Sequence, residues 1–184
     1  TITVTDDPDD LPALAINEIH AAVDADIGDA NKDGSLATLG FDEFVELVNI
    51  SGAPLDISGY RISDTVAPRH IFPAGTMLDT DCAVVVFGGG NIAEGILPEF
   101  GNALVQKANT NNESGLGLND GGDTLSITNA AGAELASTSW DELDAGNGSL
   151  TRSPDLTGNF VEYFSVSNGG ELFSPGTRIT GQPF

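Results

Sequence analysis

Asp29-Ala-Asn31-Lys-Asp33-Gly34 is the stretch of this sequence whose residue types and spacing carry the clearest chemistry. It is the D-x-N-x-D-G opening of a calcium-binding loop. Asp29, Asn31 and Asp33 alternate, so a tightly curled loop can aim all three oxygen-bearing side chains inward, and Gly34 allows the sharp turn. The carbonyl of Ser35 is the next candidate ligand. Calcium takes six to eight oxygens at about 2.3–2.6 Å, and such loops ordinarily end on a bidentate acid at the twelfth position. Here that position is Gly40, so Asp42 or Glu43 is the expected replacement in a longer loop. Asp24 and Asp26 lie just upstream and are candidates to complete the site or to build a second one. Clustered aspartates repel one another unless a cation joins them. The plainer alternative is an acidic surface loop without metal. Magnesium keeps more of its waters and suits the loop less. Zinc is poorly served by a single cysteine and two separated histidines.

Catalytic groupings are sparser. Glu18 and Glu46 could form a paired-carboxylate hydrolase site. The favoured reading is that they are buried structural hydrogen-bond partners, since perturbed carboxylates are often structural. Cys82 lies in the apolar run Cys-Ala-Val-Val-Val-Phe and reads as a buried small hydrophobe. A nucleophilic thiol would want a histidine partner, and only His20 and His70 exist. No G-x-S-x-G, H-E-x-x-H or P-loop occurs. Gly88-Gly89-Gly90 follows a Val-rich run without G-x-G-x-x-G spacing and reads as a turn. The chain is therefore expected not to be an enzyme.

The elements that must position the acidic loop are strands. Leu11–Val23 precedes it and Phe41–Ile50 follows it, with the loop itself over Asp24–Gly40. Phe44, Val45, Leu47 and Val48 are apolar at both strand parities, which predicts a central strand covered on both faces. Glu46 is then an awkward charge; Arg61 on the next strand is its expected partner, and a solvent-facing Glu46 is the alternative. Further on, Leu55–Asp64 and His70–Leu78 read as strands, the second broken at Pro-Ala-Gly. Ala83–Phe87 reads as a buried strand, Asn91–Gly101 as a short helical turn, and Ala103–Ala108 as a strand. Leu125–Thr128 and Ala133–Trp140 form a hairpin about Asn129-Ala-Ala-Gly132. Ser149–Arg152 and Phe160–Val166 are the last apolar segments, before a tail of little periodicity. Roughly nine or ten short strands between glycine and proline clusters predict an all-β two-layer antiparallel sandwich with long loop insertions.

At 184 residues the chain is long enough for one sizeable core, and mean hydropathy near zero marks it as globular. Residues 1–10 read as a linker or the end of a preceding region, and 11–184 as one domain. The formal net charge is −22, from 28 acids against six Lys and Arg. Such a surface repels phosphate backbones and anionic membranes and favours cations. Nucleic-acid binding by the isolated chain is not expected, and no apolar run approaches the ~20 residues of a bilayer span. Acidity of this kind also keeps a protein soluble, including in salty water. One cysteine excludes an internal disulfide. High acidity with a calcium loop points to a secreted or cell-surface protein of bacterial type. The start at Thr1, with no signal peptide, reads as a processed or excised piece.

Seven short motifs in series carry a resemblance. They are Ile16-Asn-Glu-Ile19, Asp42-Glu-Phe-Val-Glu-Leu-Val-Asn49, Leu55-Asp-Ile-Ser-Gly-Tyr-Arg-Ile-Ser-Asp64, Phe72-Pro-Ala-Gly-Thr76, Gly121-Gly-Asp-Thr-Leu125, Ser149-Leu-Thr-Arg152 and Ser174-Pro-Gly-Thr177. In this order they resemble the lamin-tail domain, specifically its bacterial secreted branch. The resemblance implies an immunoglobulin-like, noncatalytic sandwich of the kind attached to secreted nucleases, phosphatases or adhesive proteins. It names no ligand. Against the simplest family pattern the chain inserts the acidic loop and a long segment from Gly88 to Gly117, where individual function is expected. The leading functional reading is a calcium-stabilised extracellular module for adhesion or for positioning a partner domain, with a cell-surface protein or glycan as partner. The alternatives are an accessory domain of a secreted nuclease or phosphatase, and a carbohydrate-binding module using Tyr60, Trp140, Tyr163 and Phe164. Trp140 equally suits a core anchor.

Overall fold

The computed structural model describes residues 13–110, 115–143, 146, 148–167 and 169–184. The expected linker at 1–10 and the first residues of the leading strand lie outside them, as do parts of the 109–117 and 141–148 loops. Thirteen strands are present among the described residues: β1 (Leu14–His20), β2 (Phe44–Asn49), β3 (Leu55–Asp56), β4 (Arg61–Ser63), β5 (Pro68–Ile71), β6 (Met77–Leu78), β7 (Ala83–Phe87), β8 (Gly95–Leu97), β9 (Ala103–Lys107), β10 (Asp123–Thr128), β11 (Glu134–Trp140), β12 (Leu150–Ser153) and β13 (Asn159–Glu162). They form a seven-stranded sheet in the order β13-β12-β1-β2-β7-β9-β8, a four-stranded sheet β11-β10-β4-β5, and the small pair β3-β6. The fold is an immunoglobulin-like β-sandwich.

Alternation along β2 decides which side chains meet. Val45 and Leu47 face the interior between the sheets, with Val84 and Val86 of β7 beside them and Ile62, Leu125, Ile127 and Trp140 opposite. Phe44, Glu46 and Val48 point to the other face. There Val85, Phe87, Phe100, Ala103 and Ala30 form a second apolar cluster, with the partly buried Phe173 and Phe184 packed against it. Both faces of β2 are therefore buried, Glu46 included, as its apolar residues at both parities require. Each fully buried large side chain contributes about 1.5–3 kcal/mol.

Several expectations are corrected in detail. Glu46 does not meet Arg61. It belongs to the face of β2 turned away from the sheet that carries Arg61, and it is fully buried, so the solvent-facing alternative also fails. The segment His70–Leu78 is not one strand: β5 and β6 belong to different sheets, because Pro73-Ala-Gly75 turns the chain between them. Asn91–Gly101 contributes a strand, β8, before its helical turn at Pro98–Phe100. The sheet is not wholly antiparallel either, since β7 and β9 run parallel. Cys82 is only partly buried, packed at the edge of the main core.

The hairpin β10–β11 forms about the expected turn, with Gly132 at φ +86°. Trp140 is 8% exposed, and its Nε1–H donates to the Asn119 carbonyl at 2.9 Å, which makes it a core anchor. Trp140→Phe keeps most of the ring contact and loses that bond. It should cost about 1 kcal/mol and lower the melting temperature by about 2–4 °C, measured by calorimetry.

Candidate metal centre

The acidic loop leaves β1 and returns to β2 through a single turn of 3-10 helix at Leu39–Phe41. Its opening curls on its own side chains. The Gly34 N–H donates to Asp29 Oδ2 at 3.1 Å, the Asp33 N–H to Asn31 Oδ1 at 2.9 Å, and the Ser35 N–H to Asp33 Oδ1 at 2.8 Å. Lys32 and Gly34 have φ of +60° and +79°, the left-handed backbone that bends the strip into a ring. Asn31 is pinned by its Nδ2, which donates to the carbonyls of Phe41 and Gly89 at 3.2 and 3.4 Å.

Asp42 joins this ring from the end of the loop. Its Oδ1 accepts the Asn31 N–H at 3.2 Å. Its Oδ2 is buried and has no hydrogen-bond partner, and the same holds for Asp29 Oδ1. Burial pushes the Asp42 carboxyl up to about 6, and the neighbouring charges of Asp29 and Asp33 push in the same direction. Two buried carboxylate oxygens without donors, next to a third carboxylate, are what an oxygen-seeking cation would satisfy.

Among the described residues, no three His, Cys, Asp or Glu side chains converge closely enough to hold an ion by themselves. A cation here would also draw on the Asn31 amide and on backbone carbonyls, the mixed donor set that suits calcium rather than zinc.

The other candidate ligands are placed elsewhere. Glu43 turns away from Asp42: its Oε2 accepts the Leu118 N–H at 3.3 Å, and burial pushes it up to about 8. Asp24 caps its own turn, with Oδ1 accepting from the N–H groups of Asp26 and Ile27 at 2.8 and 3.0 Å. Asp26 is exposed. Ser35 contributes its backbone to the ring, while its hydroxyl accepts the Ala37 N–H.

The glycine triplet, which reads from sequence only as a turn, has a further structural part here. Gly88, Gly89 and Gly90 form the wall on which the loop lies. A Cβ on Gly88 would fall 1.8 Å from the Gly40 carbonyl oxygen. One on Gly90 would fall 2.5 Å from Asn31 Nδ2 and 2.6 Å from Asp33 Oδ2. The Asn91 N–H then donates to Asp33 Oδ2 at 2.7 Å. Three consecutive glycines immediately after a buried strand were the available signal. Between the loop and this wall lies an open cleft of about 630 Å³, lined by Asp33, Ser35, Phe41, Asn91 and Lys107 among others. Of the four aromatics expected to face a sugar, Tyr163 and Trp140 are buried and Tyr60 is half-buried; only Phe164 is well exposed.

Glu18 and Glu46 stand directly opposite each other on β1 and β2, both fully buried. Glu18 accepts from the Ser149 hydroxyl at 2.6 Å, the Ser174 N–H at 2.9 Å and the Ser174 hydroxyl at 2.7 Å. Glu46 accepts from Asn17 Nδ2 at 2.9 Å and the Gly176 N–H at 2.6 Å. Asn17 is the extra residue of a β-bulge between Ile16 and Glu18, which aims its amide at the neighbouring strand. Burial raises both carboxyls, Glu18 to about 7 and Glu46 well above the ordinary range, and a charge on Glu18 adds to the rise of Glu46.

Two polar groupings thus stand out on this sandwich, a loop-borne acidic ring and a buried carboxyl pair. The architecture defines a class first, that of immunoglobulin-like β-sandwich modules. The profile of the Lamin Tail Domain family matches residues 10–142, and the chain belongs to that family. The match ends before β12, β13 and the segment carrying Ser174 and Gly176. A search of curated proteins finds no match. Among the described residues no helix is long and apolar enough to cross a membrane.

Proposed function

We propose that this lamin-tail sandwich is a noncatalytic, calcium-stabilised module that works outside the cytosol, in adhesion or in positioning a partner domain. The observation that carries the calcium reading is the pair of orphaned, buried oxygens, Asp29 Oδ1 and Asp42 Oδ2, at one ring. Calcium there would fasten the loop between β1 and β2 and hold it against the glycine wall. The noncatalytic reading is supported by the hydrogen bonding of Glu18 and Glu46. Both are fully buried beneath the chain's own later segment, so no substrate reaches them in this conformation. The net charge of −22 argues against nucleic acid as the partner and for a basic protein patch or a neutral glycan. A glycan reading has one specific support, the cleft beside Asp33 with Phe41 on its wall.

The test is calcium titration by calorimetry on chelator-stripped protein, with Asp29→Ala, Asp33→Ala and Asp42→Asn as variants. Saturable binding in the parent, lost in all three, is the expected result. No heat and no change in thermal stability would leave an acidic sandwich without a metal.

A further inference from the structure

We propose that Glu18 and Glu46 hold a single proton between them, carried on Glu18, and that this acid–anion pair is the lock that fastens the strap 172–177 to the sheet and opens as the pair becomes fully ionised. This inference does not depend on the calcium reading.

The assignment follows from the kinds of donor each carboxyl meets. Glu46 faces two groups that can only donate. One is the Gly176 N–H. The other is the Asn17 amide, whose orientation is fixed because its Oδ1 accepts the Leu156 N–H at 2.7 Å. A protonated Glu46 would set its own O–H against a donor, so Glu46 is the anion. Glu18 faces two hydroxyls, Ser149 and Ser174, and a hydroxyl accepts as readily as it donates. A neutral Glu18 protonated on Oε2 gives its proton to the Ser174 hydroxyl at 2.7 Å. Its Oε1 goes on accepting the Ser149 hydroxyl and the Ser174 N–H.

The groups around the pair do not neutralise a second negative charge. Asp155, in the loop after β12, opposes ionisation of both carboxyls. Tyr163, in the turn after β13, shares the Ser174 hydroxyl and is itself raised, chiefly by burial. Glu171 lies near Tyr163 and adds negative charge. His20, two residues along β1, is buried between the rings of Phe44 and Phe173, and burial lowers it to about 4, so it is uncharged. Lys32 lies at the rim of the strap's cleft but is committed to the Glu99 carbonyl at 2.7 Å.

The strap supplies three of the pair's five donors: Ser174 N–H, Ser174 O–H and Gly176 N–H. It is built for that position. Gly176 has φ +83°, and a Cβ there would fall 2.0 Å from the Phe100 carbonyl oxygen. A cleft of about 390 Å³ along its outer side, lined by Tyr163, Phe173 and Ser174 among others, lets solvent reach it. Two adjacent carboxylates sealed from water gain most by lifting the strap and hydrating.

Isosteric amides test the assignment. Glu18→Gln mimics the neutral acid, so it should melt within about 2 °C of the parent at pH 6. Glu46→Gln must set an NH2 against Asn17 or Gly176 and should melt at least about 5 °C lower. The reverse order overturns the assignment. Hydrogen exchange on the unmodified chain provides a second readout that needs no variant. Protection factors of the Ser174 and Gly176 amides should fall at least tenfold between pH 6 and pH 9, while those of the β2–β7 ladder hold. Strap protection that merely follows the ladder overturns the lock.

Discussion

Calcium at a hundredfold excess over its dissociation constant should raise the melting temperature of stripped protein by about 5–10 °C at pH 7.5. Mass action at that excess gives about 2.7 kcal/mol. For a chain of this size each kcal/mol moves the midpoint by about 2–4 °C. The same addition at pH 5 should do much less. Asp42 is raised to about 6, so below that pH calcium must displace a proton from it. Affinity should climb about tenfold per pH unit up to pH 6 and flatten above. The metal-free baseline moves the other way. Glu18, which carries the single proton of its pair with Glu46, and Glu43 and Asp42 have raised pKa values in the folded state, so the folded chain binds more protons than the unfolded one. Their contribution is complete below about pH 4 and is lost as pH rises through 6 to 8. His20 and His70 are both lowered to about 4 by burial and act oppositely, costing stability as pH falls from 6.5 to 4. Three groups against two leave the stripped protein most stable near pH 5 and declining towards pH 8. Melting curves with chelator and with calcium across pH 4–9 check both limbs. A calcium increment independent of pH would remove Asp42 from the ligand set.

Gly88→Ala should be among the most damaging single-methyl changes in the described residues, costing about 3 kcal/mol, or about 6–12 °C. The reason is backbone against backbone. The new carbon falls 1.8 Å from the Gly40 oxygen, and Gly40 O is equally crowded by Gly115, where a Cβ would lie 1.9 Å away. No rotamer relieves that, so the end of the acidic loop must lift from β7. Gly52→Ala is the matched control. Gly52 has φ +75° but open space around it, so its cost is conformational alone, about 1 kcal/mol. If the wall positions the ring, Gly88→Ala also weakens calcium binding and Gly52→Ala does not. Equal melting temperatures for the two variants would contradict the wall.

What could be read in advance was what depends on near neighbours. The ring opening at Asp29, Asn31 and Asp33 is legible because its hydrogen bonds span two to five residues. The central position of β2 is legible because both its faces are apolar. That Glu46 is a buried hydrogen-bond partner is legible, but its partners are not, because alternation allows two faces and only the fold says what covers the second one. Its partners are Asn17, aimed by a bulge, and Gly176, 130 residues away. The tail after Phe173 has no periodicity because it is neither helix nor strand; Ser174 and Gly176 bond the carboxyls beneath them, and the rest is held by a Thr177–Pro183 bridge and by Asp155. The Gly88–Gly117 segment reads as an insertion and, in the described residues, supplies two strands to the sheet edge. Parallel pairing of β7 and β9 leaves no turn signature between them.

The seating of β12 beside β1, with Glu18 opposite Thr151, has a consequence for synthesis. β1 leaves the ribosome before β12, and its outer edge waits for that strand about 130 residues further on. At about 5–20 residues per second that is on the order of ten seconds. Throughout that interval Glu18 and Glu46 lack the serines and the glycine that will enclose them, and both can stay hydrated and ionised. The nascent sheet thus carries two charges on its unfinished face, which keep it from pairing with another chain until its own last strands arrive.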